Sequence, residues 1–345
     1  MKVLVGLSGG ADSAAVALSL LEAGEDVSCV FLRLFEGADP SAAEFVAQKL
    51  GVPLEIVDAV EEFRACVIAD FVEEYARGRT PNPCALCNRE MKIRLLCDAA
   101  KRLGCDAVAT GHYAGVSTAE GRSFVVAGTD KTRDQSYFLW RLTQTQLGML
   151  RFVLADEEKA KLSERVSALL PPGTKESREV CFIPADDRVA FLEGLLPDEA
   201  KRKGEFVDLE GRVLARHDGI FRYTVGQRRG FGVGFGRRVY VREIDAESSR
   251  VVLCDRDECL TDSCRLSQMN FQKMSAADGT YDVLCRVRYR APLVRAELTL
   301  ANGEGRVRLK GGARAVFAPG QSLVCYDSQE NVLCGGVIES AQRKK

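Results

Sequence analysis

Ser8-Gly9-Gly10-Ala11-Asp12-Ser13 lies between an apolar run, Val3-Leu4-Val5-Gly6-Leu7, and an Ala/Leu-rich segment from Ala14 to Leu21. The first run has the character of a buried parallel strand and the second that of a helix. Two glycines at the turn let backbone approach a ligand closely, and the unpaired N–H groups of the helix N-terminus then point at it. That geometry is an anion site. Ser8 and Ser13 add hydroxyls, and Asp12 can hold a magnesium ion that bridges phosphates. An ordinary glycine turn would not need the serines or the aspartate.

Outward from this loop, short apolar runs at Val27–Leu32, Leu54–Val57 and Ala107–Thr110 alternate with helical patterns at 42–50, 60–75 and 89–103. The alternation predicts an α/β domain with a doubly wound parallel sheet and ligands at the C-terminal strand ends. Leu32 and Gly111 fall at those ends and become candidates for contacting a nucleotide base and ribose. Beyond about residue 200 the pattern changes to short β-branched segments: 205–214, 238–244, 250–254, 281–289, 294–300, 305–309, 313–317, 322–326 and 332–338. These predict a small β-rich central domain and a C-terminal β-barrel. The expected domain limits are 1–197, 198–260 and 261–345, with a frayed Arg343-Lys344-Lys345 tail.

Bulk properties narrow the class. The chain has 345 residues and a formal charge of −1, which hides an asymmetry: 22 Lys/Arg against 31 Asp/Glu in residues 1–199, and 26 against 18 in residues 200–345. The basic second half points to a polyanionic partner. No apolar stretch approaches the roughly 20 residues that span a bilayer, and the start of the chain, with Lys2 alone and an apolar run broken at Ser8, does not resemble a signal peptide. A cytoplasmic location with no membrane partner is expected.

Thirteen cysteines are more than usual, and in a reducing compartment closely spaced ones are candidates for catalysis or metal binding. Thr80-Pro81-Asn82-Pro83-Cys84-Ala85-Leu86-Cys87-Asn88 reads as a proline-rich loop running into the helix from Arg89. Cys87 there would have its thiolate favoured by the helix dipole, with help from Arg89 and Lys92. Cys181 stands alone in Glu179-Val180-Cys181-Phe182-Ile183-Pro184, after the polar stretch from Gly173 to Arg178. A lone CxxC also fits half of a zinc site or two incidental core cysteines. Cys29, Cys66, Cys97, Cys105, Cys285 and Cys325 read as small buried hydrophobes, and Cys254, Cys259 and Cys264 as incidental.

Taken together, these segments resemble the tRNA-specific 2-thiouridylase family of the PP-loop ATP pyrophosphatase superfamily. The resemblance rests on the SGGADS loop, Gly78-Arg79-Thr80-Pro81-Asn82-Pro83 through Cys87-Asn88, Ala109-Thr110-Gly111-His112-Tyr113 and Arg133-Asp134-Gln135-Ser136-Tyr137-Phe138-Leu139. It continues through Val180-Cys181-Phe182-Ile183, Tyr223-Thr224-Val225-Gly226-Gln227-Arg228-Arg229-Gly230, Val287-Arg288-Tyr289-Arg290 and Pro319-Gly320-Gln321. It implies an ATP-dependent sulfurtransferase that adenylates the 2-carbonyl of a tRNA wobble uridine and replaces the oxygen with sulfur, giving 2-thiouridine, AMP and pyrophosphate. ATP would lie on Gly6, Leu7, Ser8, Gly9, Gly10, Ala11, Asp12, Ser13, Leu32 and Gly111, with Mg2+ at Asp12.

The resemblance also assigns the sulfur chemistry. Cys181 would carry the persulfide delivered by a sulfur donor, a cysteine desulfurase or relay protein. Cys87 would attack it, leaving a Cys87–Cys181 disulfide for a reductant. The tRNA-contacting positions it implies are Asn82, Pro83 and Cys84 at the target base, with His112, Arg133, Asp134, Gln135, Arg288, Tyr289 and Gln321. One position departs from the family, many members of which have Asp where this chain has Cys84. Cys84 then reads either as a spare thiol for sulfur handling or, with Cys87 and Cys181, as a ligand to a [4Fe–4S] cluster of the kind that related thiolases use.

Overall fold

A computed structural model describes residues 1–157, 159–173 and 180–342. The polar stretch that follows Gly173 and the Arg343-Lys344-Lys345 tail lie outside the described residues. The first strand, β1 (Lys2–Gly6), is followed by α1 (Ala11–Glu22), β2 (Asp26–Arg33), α2 (Ser41–Leu50), β3 (Leu54–Asp58) and β4 (Ala107–Ala109). With the short strand Leu150–Arg151 they form a five-stranded parallel sheet in the order β3-β2-β1-β4-(150–151). Val3, Leu4 and Val5 are fully buried because helices cover both faces of the sheet. The strand order reverses at β1, so the crevice beyond the C-terminal ends of β1 and β4 is the topological switch point where ligands bind in such sheets.

Two long helical runs flank the sheet, and both are irregular. Residues 60–76 widen to a π turn over Arg64–Ile68, and residues 83–103 do so over Asn88–Ile93. The second run starts six residues before the expected position. Asn82 caps it, its side-chain oxygen accepting from the Ala85 N–H at 3.3 Å, and Pro83 takes the first helical position, where a missing N–H costs nothing. Cys84 and Cys87 therefore sit inside the first turns of a helix rather than in a loop ahead of it.

The central region is a four-stranded sheet: Tyr240–Asp245, Arg250–Cys254, Gly204–Val207 and Val213–His217, in that order. The single strand expected over 205–214 is instead two strands joined by an Asp208 turn, in which the Asp208 carboxylate accepts from the Glu210 and Arg212 N–H groups. The C-terminal region is a closed six-stranded barrel made of Ser263–Phe271, Glu304–Leu309, Val294–Ala301, Gly279–Arg286, Ser322–Tyr326 and Val332–Gln342. Closure removes the sheet edges. Residues 313–317 contribute a single isolated bridge, Ala315 to Thr261, rather than a strand.

The N-terminal domain and the barrel are joined by buried polar groups. Gln272, fully buried, accepts from the Val125 N–H at 3.0 Å and donates to the Leu139 and Trp140 carbonyls at 2.8 and 3.1 Å. Trp140 donates its indole N–H to Ser322 Oγ at 2.9 Å, and Tyr137 its hydroxyl to the Ser322 carbonyl at 2.7 Å. Gly335 lets the barrel close on the indole: a Cβ there would lie 2.6 Å from the Trp140 ring. Of the cysteines read as buried hydrophobes, Cys29, Cys97, Cys105, Cys285 and Cys325 are buried and Cys66 is half-buried.

Candidate active site

The glycine loop occupies the switch-point crevice. Gly9 adopts φ +81°, and a Cβ there would stand 2.6 Å from the Ala42 Cβ and 2.7 Å from the Ala43 nitrogen, so α2 presses against the loop from behind. Ser13 Oγ donates to the Gly10 carbonyl at 3.0 Å and accepts from the Ser8 N–H at 3.1 Å. The Ser13 hydroxyl thus holds the loop's shape, while Ser8 is exposed. Gly10 is the N-cap of α1 and no side chain caps that end, so the first N–H groups of α1 face the crevice. Gly111 passes close behind the loop, since a Cβ there would lie 3.1 Å from both Asp12 Cβ and the Ser13 nitrogen. Gly6 ends β1 and Leu7 is buried behind the loop; Leu32 is half-buried at the end of β2, packed against the core.

Tyr113 ties this crevice to the rest of the site. Its hydroxyl donates to Asp12 Oδ1 at 2.8 Å, and its backbone N–H donates to Gln135 Oε1 at 3.0 Å. Asp12 and Tyr113 come from segments 101 residues apart, a pairing that no local sequence pattern signals. His112, beside it, is buried; its Nδ1 lies 2.7 Å from Thr110 Oγ1 and its ring meets Phe152 edge-on at 5.7 Å. Burial, with Lys92 adding like-charge repulsion, pushes the imidazole down to about 3, so His112 is neutral.

Lys92 also acts on the thiols. Burial raises Cys84, Cys87 and Cys181, in the case of Cys87 up to about 12, and in each the Lys92 ammonium opposes that rise. Cys181 feeds back on Cys84 and Cys87, which places the three sulfurs in one neighbourhood. The dipole-favoured thiolate expected at Cys87 is therefore overruled by burial, and Arg89 pairs with Glu90 at 2.8 Å. Cys84 and Cys181 keep exposed surface. The Cys181 segment is brought over the 83–103 helix by its neighbour: the Phe182 ring packs on Phe63, Phe71 and Phe191 at 5.5, 5.4 and 5.6 Å, and Phe182 and Ile183 share one core cluster with Cys87 and Met91.

Among the described residues no three His, Cys, Asp or Glu side chains converge closely enough to hold a metal ion.

Several residues expected at tRNA are engaged within the protein. Asp134 is buried and accepts from the Gly128 and Ser136 N–H groups at 3.2 and 3.0 Å, the Ser136 hydroxyl at 3.0 Å and Arg286 Nη1 at 2.6 Å. Gln321 donates to the Thr80 and Pro81 carbonyls, each at 3.0 Å, and Asn82 donates to Ser322 Oγ at 3.0 Å. These contacts clamp the 80–83 segment to the barrel and fix the start of the cysteine-bearing helix. Pro83 is buried. Arg133 and Gln135 are half-buried and Arg288 is exposed. The Tyr289 ring lies 4.4 Å from Phe138, and the Arg290 guanidinium lies 5.2 Å from the Tyr289 ring.

Three family models cover the chain: a tRNA methyl transferase HUP domain over residues 1–185, a tRNA methyl transferase PRC-barrel domain over 190–255 and an aminomethyltransferase beta-barrel domain over 261–338. The chain is 37% identical to the tRNA-specific 2-thiouridylase MnmA of Geobacter metallireducens, over 99% of this chain and 97% of that protein. It is 38% identical to the enzyme of the same name from Syntrophotalea carbinolica, over 97% of this chain and 98% of that one. With the glycine loop at the switch point and full-length relatives of one kind, the chain belongs to the tRNA-specific 2-thiouridylase family.

Proposed function

We propose that this tRNA-uridine 2-sulfurtransferase activates the uridine with ATP and delivers sulfur through Cys181 and Cys87. The observation that supports this reading is that the uncapped, glycine-lined helix N-terminus packs on residues 111–113, and that one cation, Lys92, acts both on His112 in that segment and on Cys84, Cys87 and Cys181.

A uracil 2-carbonyl is a poor electrophile, and its oxygen is a poor leaving group. Attack of that oxygen on the ATP α-phosphate would expel pyrophosphate and leave AMP as the leaving group. The α1 N-terminus and the loop N–H groups would receive the phosphates. Asp12, steadied by the Tyr113 hydroxyl, is a carboxylate of the kind that holds magnesium together with phosphate oxygens, and the ion would offset charge on the departing pyrophosphate. Gly6 to Ser13, Leu32 and Gly111 would line the nucleotide.

A persulfide on Cys181, loaded by a cysteine desulfurase or relay protein, supplies the terminal sulfur. That sulfur attacks C2 and AMP leaves. Cys87 then attacks the Cys181 Sγ, the S–S bond breaks toward the new C–S bond, and 2-thiouridine departs with a Cys87–Cys181 disulfide behind. A thiol reductant resets the pair. Cys87 needs its thiolate for this step, and Lys92 is the cation placed to favour it. Cys84, beside both, would pass or hold sulfur. Arg133, Gln135, Arg288 and Tyr289 would meet the RNA, with Tyr289 offering a stacking face. Cys181→Ser and Cys87→Ser should each abolish 2-thiouridine formation in a nucleoside mass-spectrometric assay, with ATP binding retained. Turnover in either variant would remove that cysteine from the mechanism.

A further inference from the structure

The central domain carries a lobe, residues 228–239, that the reading above leaves without a task. Its sequence is Arg228-Arg229-Gly230-Phe231-Gly232-Val233-Gly234-Phe235-Gly236-Arg237-Arg238-Val239. Between Asp218 and Glu243 the chain holds six arginines and no carboxylate. The lobe encloses an open cavity of about 820 Å³.

This is a built feature rather than a slack loop. Its base is closed by the Gly226 N–H donating to the Val241 carbonyl at 2.7 Å and the Val241 N–H donating to the Gln227 carbonyl at 2.9 Å. Phe231 and Phe235 turn inward, each ring 5.6 Å from Phe206, and Phe231 stacks on Tyr223 at 6.2 Å. The alternating glycines leave the outer side bare of side chains. Gly230, Gly232 and Gly236 take φ of +80°, +72° and +67°, and a Cβ on Gly232, Gly234 or Gly236 would meet nothing within 4 Å.

All four arginines of the lobe are exposed. Arg237 pairs with Asp255, while Arg228, Arg229 and Arg238 have no carboxylate partner among the described residues. Gathering like charges works against the fold, and the aromatic anchors hold them together nonetheless. The lobe is also fixed relative to the site. Gly226 packs on Val316 of the barrel, and the adjoining segment is held by Arg188, which donates to the Phe221 and Arg222 carbonyls at 2.9 and 3.2 Å while lying over Tyr75 at 4.7 Å.

We infer that residues 228–239 form a cradle for the phosphodiester backbone of the tRNA, with Arg228, Arg229 and Arg238 as its charge contacts. This rests on tRNA being the substrate. Such contacts position the RNA without reading sequence, and their signature is counterion release. The test replaces all three with Gln in the full chain and measures tRNA affinity across a salt series, steady-state kinetics and thermal stability. A second variant carries Lys at the same positions. The expected result for the Gln variant is at least a tenfold weaker Kd, a log K against log [salt] slope smaller by roughly two to three, kcat at saturating tRNA within twofold of the parent and an unchanged KM for ATP. The Lys variant recovers most of the affinity and the slope. Equal affinity and slope in parent and Gln variant overturn the cradle, as does a change confined to the KM for ATP. If the parent itself binds no tRNA, the proposed function fails instead.

Discussion

Asp134 separates two accounts of the Arg133-Asp134-Gln135 segment. Its side chain is 0% exposed and its carboxylate lies 2.6 Å from Arg286 Nη1, whose side chain is 10% exposed. Among the described residues Arg286 Nε has no hydrogen-bond partner, its ring neighbour is Tyr326 at 5.5 Å, and the next carboxylate, Glu330, is 3.9 Å away. Asp134→Asn leaves that guanidinium buried without its main counter-charge. Breaking a buried pair from one side costs about 3–5 kcal/mol, and Glu330 draws the figure toward the lower end. For a domain of this size each kcal/mol lowers Tm by roughly 2–4 °C, so a fall of at least about 6 °C is expected. Adding Arg286→Met to Asp134→Asn should return more than half of it. At 25 °C the folded single variant should keep its tRNA affinity within threefold, measured by filter binding beside the thermal scan. A Tm within 2 °C of the parent, with affinity reduced tenfold, would refute the reasoning and make Asp134 an RNA contact.

Gly9→Ala forces a left-handed residue, costing about 1–2 kcal/mol, and drives a Cβ into backbone atoms of α2 that cannot swing aside, for about 1–3 kcal/mol more. Thermal unfolding should show that loss, whereas Gly10→Ala, at φ −85° with its nearest neighbour Ser8 Oγ at 3.6 Å, should keep its Tm and raise the KM for ATP. His112 titrates at about 3 in the folded chain, below its unfolded value of about 6.5, so the unfolded state takes up the proton first and stability falls as pH drops from 6.5 toward 3. The slope reaches about 1.4 kcal/mol per pH unit, and His112→Gln should flatten that acid limb in urea titrations; identical limbs would show that His112 does not titrate this way.

What the sequence made legible was local. The strand, glycine loop and helix at the start of the chain needed only an apolar run, two glycines and a helix former, and Lys2–Gly6 and Ala11–Glu22 follow. The first turns of the cysteine helix were hidden because Pro81-Asn82-Pro83 reads as a loop, although a capping Asn and a Pro at the first helical position also start a helix. The barrel strand Ser263–Phe271 escaped because its alternation breaks where the register shifts between Ser267 and Asn270 and Gln268 takes φ +48°. The hairpin at 114–127 escaped too, its outer half, Ser117-Thr118-Ala119-Glu120-Gly121-Arg122-Ser123, having no apolar–polar alternation. Long-range partners left no trace at all. Nothing near Asp134 announces an arginine 152 residues away, and nothing near Cys87 announces that burial would outweigh the helix dipole.

The central claim is that sulfur enters an adenylated uridine. The most direct measurement counts products together: 2-thiouridine by nucleoside mass spectrometry, with AMP and pyrophosphate from the same reaction, using ATP, magnesium, a persulfide donor and a lysine- or glutamate-type tRNA transcript. The account predicts one AMP and one pyrophosphate for each 2-thiouridine, and no 2-thiouridine with Cys181→Ser. Thiolation that proceeds without AMP, or with ADP and phosphate in its place, would contradict it.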